Sequence, residues 1–216
     1  MIEKLNAGAK LFALLSEYPH LCRLVSESMS QSPFILQRIS AYPELLDLWV
    51  DSRFSAQITY ADAEEIYPFR FLHDTAFHDA STEARLDYIR LIKKEIELKA
   101  AFHLLHHSSP HHAISRYLYQ FADIAICTMA QTALADIERR YGRIAHFNFA
   151  IIGLGRLGAR NMTLTSDLDI IFVYQAQHDP VSDGQIQIGA TGYALKLAQR
   201  IINFLSTHTA QGSLYE

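Results

Sequence analysis

Two aspartates that are one residue apart, Asp167 and Asp169, come directly before an apolar segment, residues 170–174. Because side chains alternate along a β-strand, two such residues leading into a strand share one face, with backbones roughly 6–7 Å apart. Carboxylates that share a face can bind a hard cation such as Mg²⁺. The spacing therefore predicts a metal-binding pair at the mouth of a strand.

Three glycines, Gly153, Gly155 and Gly158, follow another short apolar segment, residues 147–152, which is typical of a buried strand. A glycine-rich turn leaves backbone N–H groups free to approach phosphates. A phosphate-binding turn followed by metal-binding carboxylates indicates nucleotidyl transfer.

Two further residues extend the predicted site. Arg156 lies inside the glycine turn and can bind a triphosphate by its charge, and Ser166 can add a hydroxyl contact beside the first aspartate. The predicted nucleotide- or phosphate-binding residues are therefore Gly153, Gly155, Arg156, Gly158 and Ser166.

The segment GLGRLG also fits the G-x-G-x-x-G pattern of dinucleotide-binding folds. That site requires a crossover helix, a second strand and then an acidic residue about 20 residues further on. Residues 159–166 are too few for a crossover of about a dozen residues. The acids also precede the apolar segment, whereas the acid of a dinucleotide site follows it, so the order of elements disfavours this alternative.

The pattern G-x-G-x-L-G, then S-D-x-D, then an apolar segment ending in tyrosine resembles the glutamine synthetase adenylyltransferases, which belong to the DNA polymerase β-like nucleotidyltransferase superfamily. Residues 197–216 resemble the segment that precedes the family's V-D-x-R-L-R-P motif, and residues 11–49 resemble its helical lead-in. One position differs, since the family usually has lysine where this chain has Arg156, which keeps the charge but offers a planar fork. The matching residues are Gly153, Gly155, Leu157, Gly158, Ser166, Asp167, Asp169 and Tyr174.

The resemblance implies transfer of AMP from ATP to a tyrosine of glutamine synthetase, or the phosphorolytic reversal, with Mg²⁺ as cofactor. It implies that Asp167 and Asp169 are the catalytic and metal-binding carboxylates. The family's third carboxylate would lie just beyond residue 216, so we expect the fragment itself to be inactive. For the full-length enzyme, the resemblance implies glutamine synthetase and a PII signal protein as partners.

Two other functions remain open from the sequence. One is another polymerase β-like nucleotidyltransferase that modifies a different acceptor. The other is a non-catalytic helical regulatory module with a vestigial transferase core, although both aspartates of such a core are intact here.

The amino-acid composition limits the classes of protein to which this chain can belong. Half of the 216 residues are hydrophobic, which supports a sizeable core, and the net charge of −4 disfavours nucleic acid as the main partner. No apolar run reaches about 18 residues, so we expect no membrane span. Cys22 and Cys127 are far apart, which favours reduced cysteines in a cytoplasmic protein.

Hydrophobic periodicity predicts an α+β fold that is mostly helical over residues 1–110 and holds a small mixed β-sheet within residues 111–216. The resemblance implies that residues 1–110 are a helical lead-in and that residues 111–216 are a nucleotidyltransferase core truncated at its C-terminal end. Short helices separated by prolines fill residues 2–50, and residues 51–78 are less regular. Long helices are predicted over residues 81–107 and 111–141, with Gly142 just after the second. The last helix, residues 186–207, is predicted to face inward through Leu195, Ala198, Ile201, Ile202 and Leu205, and residues 213–216 are predicted to begin a further strand.

Five histidines cluster at the corner between the two long helices: His103, His106, His107, His111 and His112. His103 and His107 are one helical turn apart, as in some metal sites. No cysteine or acid within the turn completes a tetrahedral ligand set, so the pattern favours a polar, solvated turn.

Overall fold

The computed structural model describes residues 18–59, 75–177, 180–209 and 211–215. Within them the chain is mostly helical with a single antiparallel strand pair, which confirms the predicted α+β fold. The beginning of the predicted lead-in, residues 2–17, and much of the less regular segment 51–78 lie outside the described residues. The elements in chain order are α1 Pro19–Gln31, α2 Pro33–Ala41, a 3-10 helix Pro43–Val50, α3 Ser52–Ser55, α4 Thr75–Asp79, α5 Thr82–Leu105, α6 His111–Tyr141, β1 Asn148–Gly153, α7 Gly155–Gly158, β2 Ile170–Gln175 and α8 Ala190–Ser206.

Prolines and a serine cap set the starts of the first helices. Pro33 occupies the first turn of α2, and the Ser32 side chain accepts a hydrogen bond from the Ile35 N–H at 3.3 Å. Proline suits this position because its missing N–H would have no partner there anyway. Pro43 likewise begins the 3-10 helix.

Two compact units make up the chain. One comprises Met1–Leu72 and Ile92–Leu118, and the other comprises His73–Leu91 and Tyr119–Glu216. Both long helices, α5 and α6, contribute residues to each unit. The predicted division into a lead-in and a core at residue 110 stays a prediction.

Helix α5 is buried around most of its circumference in the first unit, so its polar side chains need partners. Glu97 pairs with Arg38 and, at 2.6 Å, with Lys93. The buried Lys99 ammonium donates to the Arg53 carbonyl oxygen at 2.6 Å. These contacts tie α5 to the short helices before it.

The strand pair lies in the second unit and matches the prediction to within one residue at each end. Asn148 pairs with Gln175, and Gly153 pairs with Ile170, in an antiparallel register. A mixed sheet would also hold a parallel pair, and the described residues contain none. The register places the end of β1 beside the start of β2, where the predicted site residues begin.

The inward face predicted for α8 is partly wrong. Leu195 is 66% exposed and Ile202 is 47% exposed. The helix buries a different face. Residues three and four apart lie on the same face of a helix, and the buried face of α8 is the one that contains its first residue. That set is Ala190, Tyr193, Ala194, Leu197, Ile201, Phe204 and Leu205.

The described residues 211–215 form no strand, contrary to the prediction for residues 213–216. The backbone N–H groups of Leu214 and Tyr215 both donate to the Leu205 carbonyl oxygen, at 3.1 and 3.0 Å. These bonds use the acceptor that the end of α8 leaves free, so the segment folds back onto the helix.

No helix in the described part of the chain has the length and apolar character needed to cross a membrane. Cys22 and Cys127 are both free thiols.

The histidine corner is not simply a solvated turn, because His103 is fully buried. Its Nε2 lies 3.2 Å from the Phe54 carbonyl oxygen, and its Nδ1 lies 2.7 Å from Ser108 Oγ and 3.0 Å from Ser109 Oγ. The carbonyl can only accept, so Nε2 carries the proton and Nδ1 accepts from a serine. His103 therefore fastens α5 to α3 as a neutral, hydrogen-bonded core residue. No group of three or more potential metal ligands occurs in the described residues.

We expect His103 to make the protein less stable in mild acid. Burial is the main cause that lowers the pKa of His103 below its usual value, and the charges of Lys99 and His106 act in the same direction. The unfolded state then binds more protons, so the stability is complete above about pH 6.5 and is lost as the pH falls from there toward the folded pKa. The loss is at most about 1.4 kcal/mol per pH unit for a single proton.

Urea denaturation of the wild type and the His103→Asn variant, at about pH 7.5 and about pH 5.5, measures this effect. The difference in unfolding free energy between the two pH values should shrink in His103→Asn and persist in His111→Asn, which changes an exposed histidine of the same corner. An unchanged difference in His103→Asn would assign the acid sensitivity to another group.

Candidate functional site

The glycine turn forms a single helical turn, α7, directly after β1. The Gly158 N–H donates to the Leu154 carbonyl oxygen at 2.8 Å, and the Ala159 N–H donates to the Gly155 carbonyl oxygen at 3.0 Å. The amides of residues 155–157 come before the first of these bonds, where a helix offers no internal acceptor. The backbone of this turn therefore has amides that can donate to a bound anion. Phosphate binding at the turn stays a prediction.

Asp169 lies against the glycine turn. Its carbonyl oxygen accepts from the Leu154 N–H at 2.7 Å. Gly155 has φ +51°, and a Cβ at this position would overlap the Asp169 Oδ2 atom. Only glycine fits here, because its backbone adopts positive φ without strain and it leaves room for the carboxylate.

Gly153 and Gly158 meet a different requirement, which is close packing within the turn itself. A Cβ on Gly158 would lie 2.5 Å from the Gly153 carbonyl oxygen, and a Cβ on Gly153 would lie 2.9 Å from Leu157 Cγ. Leu157 is 5% exposed and anchors α7 to the core. Packing alone thus explains these two glycines, whatever they contact in a complex.

Asp167 and Asp169 lie in the segment that leads into β2, which begins at Ile170. Both are exposed, while Leu168 and Ile170 are half-buried, so the alternation of the strand extends back through the aspartates. Neither carboxylate receives a hydrogen bond from a described residue. Their shared role in binding a metal stays a prediction.

The chemistry of these carboxylates fits Mg²⁺. This ion favours oxygen ligands, takes one or two protein carboxylates, and completes its octahedron with waters and substrate phosphates. Asp167 and Asp169 supply two carboxylates whose oxygens are not used by described donors, next to a turn with free amides.

The two other predicted residues differ in their surroundings. Arg156 is exposed and forms no ion pair with a described residue. Ser166 holds a local turn instead, since its Oγ accepts from the Thr163 N–H at 2.8 Å and lies 2.9 Å from Thr163 Oγ1. Arg156 is therefore free to contact a ligand, whereas Ser166 already positions the loop that carries the aspartates.

A cavity of about 910 Å³ lies behind the turn and is bounded by α6, β1, α7 and α8. Its wall includes Gly153 and Gly158 together with Tyr119, Asp123 and Arg160. The Arg160 guanidinium lies 5.6 Å from the centre of the Tyr119 ring. Sequence reasoning missed this pair, because the two residues are far apart in the chain and neither belongs to a motif.

Two tyrosine hydroxyls connect α8 to the rest of the second unit. Tyr174 Oη, at the end of β2, lies 2.8 Å from Thr191 Oγ1, and Tyr193 Oη donates to the Gly142 carbonyl oxygen at 3.2 Å. Burial raises the pKa of Tyr193, so its hydroxyl remains a donor. Tyr193 is 2% exposed, whereas Lys196 and Arg200 of the same helix are exposed.

A family model described as glutamate-ammonia ligase adenylyltransferase matches residues 22–216. The match covers most of the chain and includes every residue of the candidate site.

Proposed function

The chain belongs to the glutamate-ammonia ligase adenylyltransferase family, and we propose that it carries the part of such an enzyme that binds ATP for AMP transfer. The acceptor is a tyrosine of glutamate-ammonia ligase, which is glutamine synthetase, and the reverse reaction is phosphorolytic removal of AMP. The observation that supports this proposal is the position of Asp169, whose backbone bonds to Leu154 and whose carboxylate lies over Gly155.

Family membership gives the reaction class, nucleotidyl transfer, and the protein that is modified. The remaining features are part of the proposal. ATP is the nucleotide, Mg²⁺ is the cofactor, a PII signal protein regulates the full-length enzyme, and the reaction takes place in the cytoplasm.

Different groups in and near the turn contact different parts of the proposed site for the triphosphate. The amides of residues 155–157 donate to phosphate oxygens, and the exposed Arg156 guanidinium adds charge-assisted hydrogen bonds. Gly155 lets the triphosphate and the Asp169 carboxylate approach the same stretch of backbone. Ser166 keeps the loop before the aspartates closed through Thr163.

Asp167 and Asp169 are the residues that would hold Mg²⁺. When bound, the ion neutralises charge on the triphosphate during transfer. The aspartates would hold the ion beside the turn, because both are exposed and the Asp169 carboxylate lies against Gly155. In-line displacement of pyrophosphate depends mostly on such positioning and charge.

The direct test of this function is a transfer assay with labelled ATP. The chain alone is expected to be inactive, so the assay uses the full-length enzyme that contains it. This enzyme is incubated with Mg²⁺, glutamine synthetase and ATP that is labelled in the α-phosphate, and the modified residue is identified by mass spectrometry. We expect AMP on a tyrosine of glutamine synthetase, or its release as ADP when modified glutamine synthetase and phosphate are supplied. Transfer to a different acceptor, with glutamine synthetase untouched in both directions, would contradict the proposed substrate.

We expect Arg156→Ala to weaken MgATP binding by about 1.5–3 kcal/mol, the range for a hydrogen bond to a charged group. Arg156→Lys should restore much of the loss, because lysine keeps the charge although it lacks the planar fork. Isothermal titration with MgATP at moderate salt measures both. The matched control is Arg23→Ala, which removes an exposed arginine of α1. If Arg156→Ala and the control bind MgATP equally well, Arg156 does not contact the triphosphate.

A further inference from the structure

A groove between α6 and α8 concentrates positive charge on the second unit. It has a volume of about 700 Å³, and we call it the basic groove. Charges of one sign that line a groove focus the electrostatic field and attract ligands of the opposite sign. The local excess is notable on a chain of net charge −4. The charged side chains that line the groove are Arg139, Arg140, Lys196, Arg200 and Asp136.

Asp136 is the single acid of this lining, and two of the arginines share it. Arg139 Nη1 lies 3.2 Å from Asp136 Oδ1, and Arg200 Nη2 lies 2.7 Å from Asp136 Oδ2. One carboxylate can offset only one of these two charges. The bonds also fix the two guanidiniums in place, which lowers the entropy lost when they bind a ligand.

Arg140 and Lys196 form no ion pair with a described residue. Each lies over the Tyr141 ring instead, Arg140 at 5.4 Å and Lys196 at 5.5 Å from its centre. Tyr141 is 7% exposed and therefore a fixed support. A cation–π contact positions a cation without neutralising it, so both charges remain available to a ligand.

The charge of the groove is not explained by helix stability alone. Arg139 and Arg140 lie in the last turn of α6, where cations favour the helix dipole. Lys196 and Arg200 lie in the middle of α8, where the dipole gives no such benefit. Four cationic side chains from two helices thus lie close together, although the stability of the two helices does not require all of them there.

We propose that the basic groove binds an acidic polypeptide segment of a protein partner. Carboxylates match the forked donors of arginine and the ammonium of lysine. Gln199 and Asn203 line the same groove and offer amide groups that can pair with a peptide backbone. None of the lining residues belongs to the predicted nucleotide site, so this inference is independent of the proposed function.

A nucleic acid suits the groove less well. Single strands bind through bases that stack on exposed aromatic faces. Tyr141 is the aromatic residue of the lining, and it is buried beneath Arg140 and Lys196. The geometry thus offers charge and hydrogen bonds, without a stacking surface.

The test titrates the full chain into a short, fluorescently labelled peptide rich in glutamate, at low salt, and follows the anisotropy. The groove variant is Arg140→Glu with Lys196→Glu. The matched control, Arg23→Glu with Arg143→Glu, changes the net charge equally at two exposed arginines outside the groove. We expect the groove variant to weaken binding by about tenfold or more, and the control to weaken it much less, because contact charges act more strongly than distant, screened ones.

Several results would overturn the proposal. They are no binding of the peptide by the unaltered chain, equal weakening by the two double variants, and tighter binding of a single-stranded oligonucleotide of the same charge. If the charge reversals alter the circular dichroism spectrum, Arg140→Gln with Lys196→Gln replaces them. That neutral pair must then also weaken peptide binding, and failure to do so counts against the basic groove.

Discussion

In a full-length enzyme that contains this chain, replacing either Asp167 or Asp169 by asparagine is expected to lower the rate of AMP transfer by about a thousandfold. Metal ions stabilise the transition state of such reactions by several kcal/mol, and about 4 kcal/mol corresponds to three orders of magnitude in rate. Asparagine keeps the shape of aspartate but removes the negative charge that holds Mg²⁺. The measurement is labelled AMP incorporation into glutamine synthetase at saturating MgATP.

The structure indicates that these substitutions should leave folding nearly unchanged. Neither carboxylate is bonded to a described residue, and both are exposed, so the change in unfolding free energy should stay within about 0.5 kcal/mol. Asp47→Asn is the matched control, since Asp47 is an exposed acid of the first unit. Transfer at a near-normal rate in Asp169→Asn would show that the charge on this residue does not hold the metal.

Periodicity predicted α6 and the two strands well. Helix α6 has the predicted bounds, and both strands lie within one residue of theirs. These segments are long or strongly apolar, and their ends carry clear signals, such as Gly142 after α6 with φ +76°. Local sequence dictates such elements because their hydrophobic faces and caps agree with one another.

Tertiary contacts decided the features that the sequence could not predict. Composition suggested a solvated corner around His103, yet the residue is buried because Phe54, Ser108 and Ser109 together satisfy its ring. Leu195 looks apolar enough for a core but lies on the outer side of α8, since the packing of the helix, and not residue type, selects its buried face.

In the candidate site, too, the sequence predicted the motif but not the contacts between its residues. The glycines and aspartates were visible as a motif, but the approach of Asp169 to Gly155 depends on the antiparallel register of β1 and β2, which no short pattern specifies. The structure also separates the glycines by role. Gly153 and Gly158 are needed for packing, whereas Gly155 leaves room for the Asp169 carboxylate.

Gly142→Ala is expected to destabilise the protein by about 2–5 kcal/mol. Positive φ costs a residue with a Cβ roughly 1–2 kcal/mol, and overpacking adds about 1–3 kcal/mol. The new methyl group would overlap Asp183 Oδ1 and the Gly184 backbone, with Gly184 Cα 2.8 Å away. This is the contact between the end of α6 and the loop before α8, so a shift here disturbs the second unit.

Three hydrogen bonds make that contact hard to relax. The Gly184 N–H donates to the Tyr141 carbonyl oxygen at 3.0 Å, the Asp183 N–H donates to the Arg143 carbonyl oxygen at 3.0 Å, and the Arg143 N–H donates to Asp183 Oδ1 at 2.6 Å. Moving the loop to admit a methyl group stretches all three. The strain therefore cannot be relieved by rotating a single side chain.

Gly192→Ala is the matched control, because it adds the same methyl group where a Cβ would have no neighbour within 4 Å. Gly192 lies inside α8, where alanine is favoured over glycine by about 0.8–1.0 kcal/mol, so this variant should be more stable than the wild type. Urea denaturation of both variants measures the two shifts. The same added methyl group should lower the free energy of unfolding in Gly142→Ala and raise it in Gly192→Ala, because backbone conformation and local space decide its effect. A loss below about 1 kcal/mol in Gly142→Ala would mean that the loop before α8 separates from α6 at little cost.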